Sequence, residues 1–361
     1  MTKLRDICRF QSGGTPSRGT PAYFNGNVPW ITTVALNGDV IDGNQAIEWI
    51  TDEAIAKSAA KIVPPHSVMV GTRVGIGKVA INSVPMSTSQ DIISLIGIDE
   101  NKWDKKFICH LITANKEHLT SQARGATIKG IKIEAIADLV LPEISLKEQA
   151  RISEVIGKVD ALMHMHQQMA MNLEQLIKSR FIELFGEPLS NQKGWQTMSI
   201  VEAAPIKSQR GDLADEVWLL NLDAVEAQTG TVLFKHRVQS GEINASTVYF
   251  TAESVLYSKL RPYLNKVVMP DEDGVATSEM IPMYPLADRL NRAYLCYWLR
   301  SDVFVRHISE KVAGAKMPRV SMDYFRSLAI EMPPLELQEQ FAAFVEQTDK
   351  SKLCGKMEVA A

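Results

Sequence analysis

A chain of 361 residues, 45% of them hydrophobic and 22% charged, is long enough for two or three buried cores and too mixed in character to be disordered or fibrous. No apolar run approaches the ~20 residues that span a bilayer, and MTKLRDICRFQ at the N-terminus has charged and polar breaks where a secretory signal needs an unbroken apolar stretch. A cytoplasmic protein without a membrane partner is therefore expected. The formal net charge of −3 gives no global signature of nucleic-acid binding, which would have to come from local patches.

The first such patch runs from Ile7 to Gly38, a Gly/Ser/Thr/Asn-rich loop that carries Arg9 and Arg18. The window from Ala54 to Gln90 follows, with Lys57, Lys61, Arg73 and Lys78 and no Asp or Glu. Its centre, GTRVGIGKVAI (71–81), has the look of a phosphate-cradling loop. However, it misses the G-x-x-x-x-G-K-[ST] spacing, ends in Val79 and runs into a β-rich segment rather than a helix. A turn between two strands that displays Arg73 and Lys78 fits better. Further along, SQARGATIKGIKI carries Arg124, Lys129 and Lys132.

A helix is expected next. Ser145 and Glu148 make an S-x-x-E capping box after Pro142, and the segment runs without Pro to the GEP stop at 186–188. Ile152, Val155, Val159, Leu162, His166, Met169, Leu173 and Leu176 alternate three and four apart, a coiled-coil-like seam. Roughly 40 residues at 1.5 Å each span about 60 Å, too long for an ordinary linker. His164 and His166 lie two apart on different faces, so they cannot share a metal as an i, i+4 pair would.

The second half repeats the first. SVMVGTRVGIGKVAI (67–81) lines up with SVLYSKLRPYLNKVVM (254–269), STSQDII (87–93) with ATSEMI (276–281), KFICHL (106–111) with AYLCYWL (293–299), and GATIKGIKIEAIADLVLPEI with GAKMPRVSMDYFRSLAIEMPPL. The order is kept and the register shift stays near ~188 residues, so one module of about 140 to 150 residues is written twice. Basic residues recur with it: Lys207 and Arg210, then Lys259, Arg261 and Lys266 in an acid-free window, then Lys311, Lys316 and Arg319. Loops of this kind suit a phosphate backbone, where Lys and Arg release counterions. A shorter helix then begins at MPPLELQEQFAAFV, which echoes LPEISLKEQARISEVI with L-x-E-Q common to both; Phe341 and Phe344 continue the apolar stripe. The four cysteines are far apart, with no C-x-x-C pair and no His at metal spacing, which points to free thiols and no metal site.

Taken together, GGTPSRGTPAYFNGNVPWIT (13–32), the G-A-T-x-x-G loop (125–130) ahead of LVLPEISLKEQARI, the helix ending in RFIELFGEPL (180–189) and the second MPPLELQEQF closely resemble the DNA-specificity subunit of type I restriction-modification systems. The resemblance covers nearly the whole length. It implies an α+β chain of two similar mixed α/β target-recognition domains, 1–144 and 189–334, separated by antiparallel coiled-coil-like conserved helices, 145–188 and a shorter 335–361. It also implies that each domain reads one half of a bipartite double-stranded DNA site, and that the helices dock two methyltransferase subunits through Ile152, Val155, Val159, Leu162, Met169, Leu173, Leu176, Phe341 and Phe344. S-adenosylmethionine would sit on those partners, and an ATP- and Mg-dependent restriction motor could join them. This chain would need no cofactor.

The absence of enzyme motifs agrees. An adenine-N6 methyltransferase needs an [ND]-P-P-[YFW] tetrapeptide, and NVPW (27–30) and VPPH (63–66) do not qualify. PDEDG (270–274) lacks the E-x-K of a metal-dependent nuclease and reads as a turn. The alternatives are a divergent methyltransferase, which would bind S-adenosylmethionine by itself, and a helix-mediated protein scaffold, which would show no salt-dependent binding to duplex DNA.

Overall fold

The computed structural model describes residues 1–38, 40–125, 129–207, 214–243, 246–314 and 317–360, with side chains as far as residue 351. The chain forms two compact units, Met1–Ala161 and Leu162–Ala361.

In the first unit the strands are β1 Arg9–Ser12, β2 Phe24–Ile31, β3 Val40–Ile41, β4 Glu48–Ile50, β5 Ile62–Val63, β6 Val68–Gly71, β7 Val79–Asn82, β8 Met86–Thr88 and β9 Ile92–Ile96. They form two sheets, of order β4-β2-β8-β5 and β1-β9-β6-β7-β3. Helices α1 Asp52–Lys57, α2 Lys105–Ala114, α3 Lys116–Ser121 and α4 Ile133–Ala137 accompany them, and α5 Leu146–Phe185 begins here. Strands β6 and β7 are buried along their whole length, as their unbroken apolar runs require of strands covered on both faces.

The second unit contains β10 Gln196–Ser199, α6 Ile200–Ala203, β11 Glu216–Leu220, β12 His236–Gln239, β13 Thr247–Phe250, β14 Val255–Ser258, β15 Val267–Val268, β16 Gly274–Thr277 and β17 Met280–Met283. They are followed by α7 Arg292–Arg300, α8 Asp302–Ser309, β18 Val312–Ala313, β19 Arg319–Val320, α9 Met322–Arg326, β20 Ala329–Met332 and α10 Leu335–Ala360. The topology of the first unit recurs. The sheet β12-β11-β16-β13 repeats β4-β2-β8-β5, with antiparallel, parallel and antiparallel pairings in the same order. The antiparallel set β17-β14-β15 likewise repeats β9-β6-β7. The duplication seen in the sequence is thus a duplication of fold.

The long helix starts where its capping box indicates: Ser145 Oγ accepts the Glu148 N–H at 3.2 Å. It stops at Gly186, whose φ of +83° and N–H bond to Ile182 O at 2.8 Å close the last turn in the left-handed conformation that glycine adopts freely. Its seam differs from the expected one. Gln149, Ser153, Ile177, Phe181 and Phe185 are buried, but among the described residues none from Glu154 to Leu176 is. Phe181 and Phe185 pack on Phe341 with ring centroids 5.4 and 5.6 Å apart. Along α7, Asn291 bonds Gln338 and Tyr297 meets Phe341 at 5.4 Å, while Tyr294 packs on Phe181 and Phe185 and Arg300 reaches Glu174, so α5 and α10 run antiparallel over this stretch. Glu174 pairs with the buried Arg300 at 2.7 Å, fixing the C-terminal half of α5 to α7.

One register differs from the sequence alignment. The L-x-E-Q match pairs Gln149 with Gln340, whereas the structural equivalent of Gln149 is Gln338. Gln149 Oε1 accepts the Asp104 N–H, and its Nε2 donates to Lys102 O and Ile144 O. Gln338 Oε1 accepts the Asn291 N–H, and its Nε2 donates to Arg289 O and Pro333 O. Asp104 and Asn291 are the N-caps of α2 and α7. Each buried glutamine therefore ties the start of a long helix to the start of a module helix. Gln149→Leu and Gln338→Leu are expected to cost about 2–3 kcal/mol each, because the shape is kept and the backbone groups lose their partners. Urea unfolding followed in each unit separately checks this, with each substitution lowering the midpoint of its own unit only.

Candidate nucleic-acid interface

The opening Gly-Gly of GGTPSRG is a structural requirement. Gly13 and Gly14 donate to Ile92 O and Thr88 O, and a Cβ at either would lie 2.1 Å from Ser89 O or 2.0 Å from Ala59 O. The loop this crossing holds presents Arg18, whose Nη1 and Nη2 meet both oxygens of Glu48 at 2.7 and 3.0 Å. The guanidinium also lies over the Phe24 ring at 5.8 Å. Arg18, Phe24, Asn25, Ile47, Glu48 and Trp49 line an open depression of about 400 Å³.

GTRVGIGK is a hairpin turn between β6 and β7, as expected for a displaying loop: the Gly71 N–H donates to Lys78 O and the Gly77 N–H to Gly71 O. Gly75 and Gly77 have φ of +76° and +75°. In the second unit the matching turn, between β14 and β15, has no glycine. Arg261 and Asn265 take the left-handed conformation instead, each at φ 50°.

In each unit two basic windows that are far apart in sequence meet at this turn. The Ile131 N–H donates to Thr72 O at 2.8 Å and the Val320 N–H to Lys259 O at 3.0 Å. A third segment joins on the other side, through Thr72 N–H to Asp91 O at 2.8 Å and Lys259 N–H to Glu279 O at 3.0 Å. The first junction brings Arg73 and the loop of Arg124, Lys129 and Lys132 together, with the backbones of Arg124 and Gly130 exchanging hydrogen bonds. The second brings Lys259, Arg261 and Arg319 together, with the Arg261 N–H bonded to Pro318 O. Arg210 and Lys316 lie outside the described residues.

The cations at these junctions are not all equivalent. Lys78, Arg124, Lys129, Lys132 and Arg261 are exposed, with no ion pair among the described residues. Arg73 pairs with Asp91 at 3.4 Å, one residue beyond the acid-free window, so that window is opposed in space though not in sequence. Arg319 forks onto Glu279 through Nε and Nη2, which raises its affinity for its proton through the hydrogen bond and then the charge. Lys266 turns inward: its Nζ donates to Leu222 O at 2.6 Å, and burial lowers its pKa. It is thus tied to the backbone of its own unit. Lys259 is half-buried.

On the long helix Val155, Val159, Leu162, Met169 and Leu176 are between 41% and 54% exposed, and Ile152 and Leu173 are half-covered. Phe341, expected on a docking face, is wholly buried because the Phe181, Phe185 and Tyr297 rings enclose it. Phe344 is half-buried against the same core. Asp91, Glu279, Gln149, Gln338 and Glu174 escaped the sequence reading; the repetition of a glutamine at both helix starts was the signal available for two of them.

Known proteins share this plan. The family model described as the type I restriction modification DNA specificity domain matches residues 1–175 and 192–355. The MjaIX type I restriction enzyme specificity subunit of Methanocaldococcus jannaschii is 23% identical over 378 residues, covering 96% of this chain and 85% of its own. The EcoR124I/EcoR124II specificity subunit of Escherichia coli is 30% identical over 166 residues, 44% of this chain and 40% of its own. The crystal structure of a type I restriction-modification S subunit from M. genitalium matches with a TM-score of 0.57 at 14% identity, covering 99% of this chain and 91% of that one.

Proposed function

The chain belongs to the type I restriction-modification DNA-specificity family, and from that premise we propose that it reads a bipartite double-stranded DNA target, one half with each unit, without itself catalysing a reaction. The observation that carries the reading is the junction of three segments built twice, each time with exposed cations around it. Arg124, Lys129 and Lys132 in one unit and Arg261 in the other sit where a phosphate backbone would release its counterions to them, fixing orientation without reading bases. Base edges are then met by side chains nearer the centre of each junction.

The exposed apolar face of α5 supports the second half of the proposal, that two methyltransferase subunits dock on this chain. S-adenosylmethionine and the adenine chemistry then belong to them, and ATP and Mg to any restriction motor that joins. A contiguous apolar strip left in water on a helix is a feature of interaction surfaces. Titrating the isolated chain with duplex DNA at several salt concentrations, and with S-adenosylmethionine, tests the reading. Salt-dependent DNA binding with no S-adenosylmethionine binding is the expected pair of results; tight S-adenosylmethionine binding would instead make the chain a methyltransferase.

Arg261 offers a sharper check. Its left-handed backbone, φ 50° and ψ 62°, costs an L-residue about 1–2 kcal/mol, part of which glycine would offset with its own unfolded-state entropy. Arg261→Gly is therefore expected to leave stability unchanged or raise it by up to about 1 kcal/mol, while weakening DNA binding and flattening its salt slope by about one phosphate contact. Equal stability with undiminished DNA affinity would remove Arg261 from the interface.

A further inference from the structure

At the centre of each junction the two units place an arginine against a carboxylate, but they take the arginine from different segments. The carboxylates are equivalent: Asp91 and Glu279 each lie just before the last strand of their sheet, and their carbonyls accept from Thr72 and Lys259 at matching points. In the first unit the arginine is Arg73, on the β6–β7 turn, and its Cγ occupies the space a Cβ on Gly130 would fill, 2.8 Å away. In the second unit the position facing that turn is Arg319 itself, bridged to Leu260, and the turn carries no arginine at the matching place. The side chain has changed segments while the pair has stayed.

Both pairs are open to solvent on the arginine side, with Arg73 and Arg319 48% and 44% exposed and their carboxylates 29% and 22%. Among the described residues, each guanidinium keeps donors free beside its carboxylate. Glu279 engages Nε and Nη2 of Arg319, leaving the edge formed by its two terminal nitrogens. Among the described residues Asp91 engages only Nη1 of Arg73, leaving Nη2 beside it and Nε beyond.

A paired arginine is a poor phosphate ligand, because the adjacent carboxylate repels the phosphate and cancels the charge that would release counterions. The same pair presents two donors beside an acceptor. That is the complement of a G·C base pair in the major groove, where guanine offers O6 and N7 as acceptors and cytosine offers its N4 amino group as donor. Building on the DNA-reading proposal above, we infer that Arg73–Asp91 and Arg319–Glu279 are equivalent base-pair readers, each specifying one G·C pair in its own half of the target. Asp91 and Glu279 position the arginine and accept from cytosine, while the unpaired cations around them hold the backbone.

The test is the pattern of methylated adenines left on genomic DNA by the complex of this chain with its methyltransferase. Wild-type complex is expected to mark a bipartite motif with a G·C pair fixed in each half. Arg319→Lys and Glu279→Gln should each relax one G·C position in one half by at least tenfold, and Arg73→Lys and Asp91→Asn should do the same in the other half. The untouched half serves as the control for folding, since a complex that still reads it is assembled. Motifs unchanged by all four substitutions would overturn the inference while leaving the DNA-reading proposal standing. Failure of the wild-type complex to mark any bipartite motif would instead overturn that proposal. Uniform loss of marking at every site, with the motif intact, would show phosphate contacts and would also overturn the inference.

Discussion

Phe341→Ala is expected to destabilise the Leu162–Ala361 unit by about 3–5 kcal/mol, close to the largest effect a single core truncation produces. The ring is wholly buried and meets Phe181, Phe185 and Tyr297 edge-on, at interplanar angles of 79°, 84° and 85°. Its loss removes transfer free energy, leaves a cavity between rigid rings and deletes three favourable aromatic contacts. For a unit of this size the melting temperature should fall by roughly 10 °C, and Met1–Ala161 should be unaffected. Differential scanning calorimetry of the full chain reads both. An unchanged melting profile would mean that α10 is not seated on α5 as described.

Val159→Glu should do the opposite, leaving the chain's stability within about 0.5 kcal/mol of wild type while disrupting its assembly. Val159 is 45% exposed, with Val155 and Leu162 each 54% exposed beside it, so in the isolated chain the new carboxylate stays in water. If a methyltransferase subunit covers this strip, the carboxylate enters an apolar interface without a partner and costs several kcal/mol, at least about a hundredfold in affinity. Sedimentation of the chain titrated with the purified methyltransferase measures this. Binding at wild-type strength would move the docking surface off the helix.

The duplication and the long helix were legible because both rest on periodic or repeated apolar patterns, which sequence preserves in order. The strands β6 and β14 could be matched by eye, and so could both ends of α5. The buried seam was not, because Val155, Val159 and Leu162 recur at helical spacing just as Ile177, Phe181 and Phe185 do, and only packing decides which set is covered. The glutamine register failed for a related reason: LKEQ matches LQEQ by letters, while the hydrogen bonds of Gln338 to Asn291 and Arg289 follow from where the helix starts. The basic windows were found, but the state of each cation was not. Asp91 sits one residue past its window, and Glu279 faces Arg319 from 40 residues away, so pairing that cancels charge in space is invisible to a count along the chain. Lys266 is indistinguishable from its neighbours along the chain, and only the fold places its amino group on Leu222 O.

Two copies of one fold reading two halves of one DNA site would be recorded in the methylated adenines of a genome exposed to the chain together with the methyltransferase proposed to dock on it. Two short specified blocks are expected, separated by a spacer of fixed length and unspecified sequence, with one block changing when only residues of the first unit are exchanged and the other when only those of the second are. A single contiguous motif, or a spacer whose bases are themselves specified, would contradict that reading.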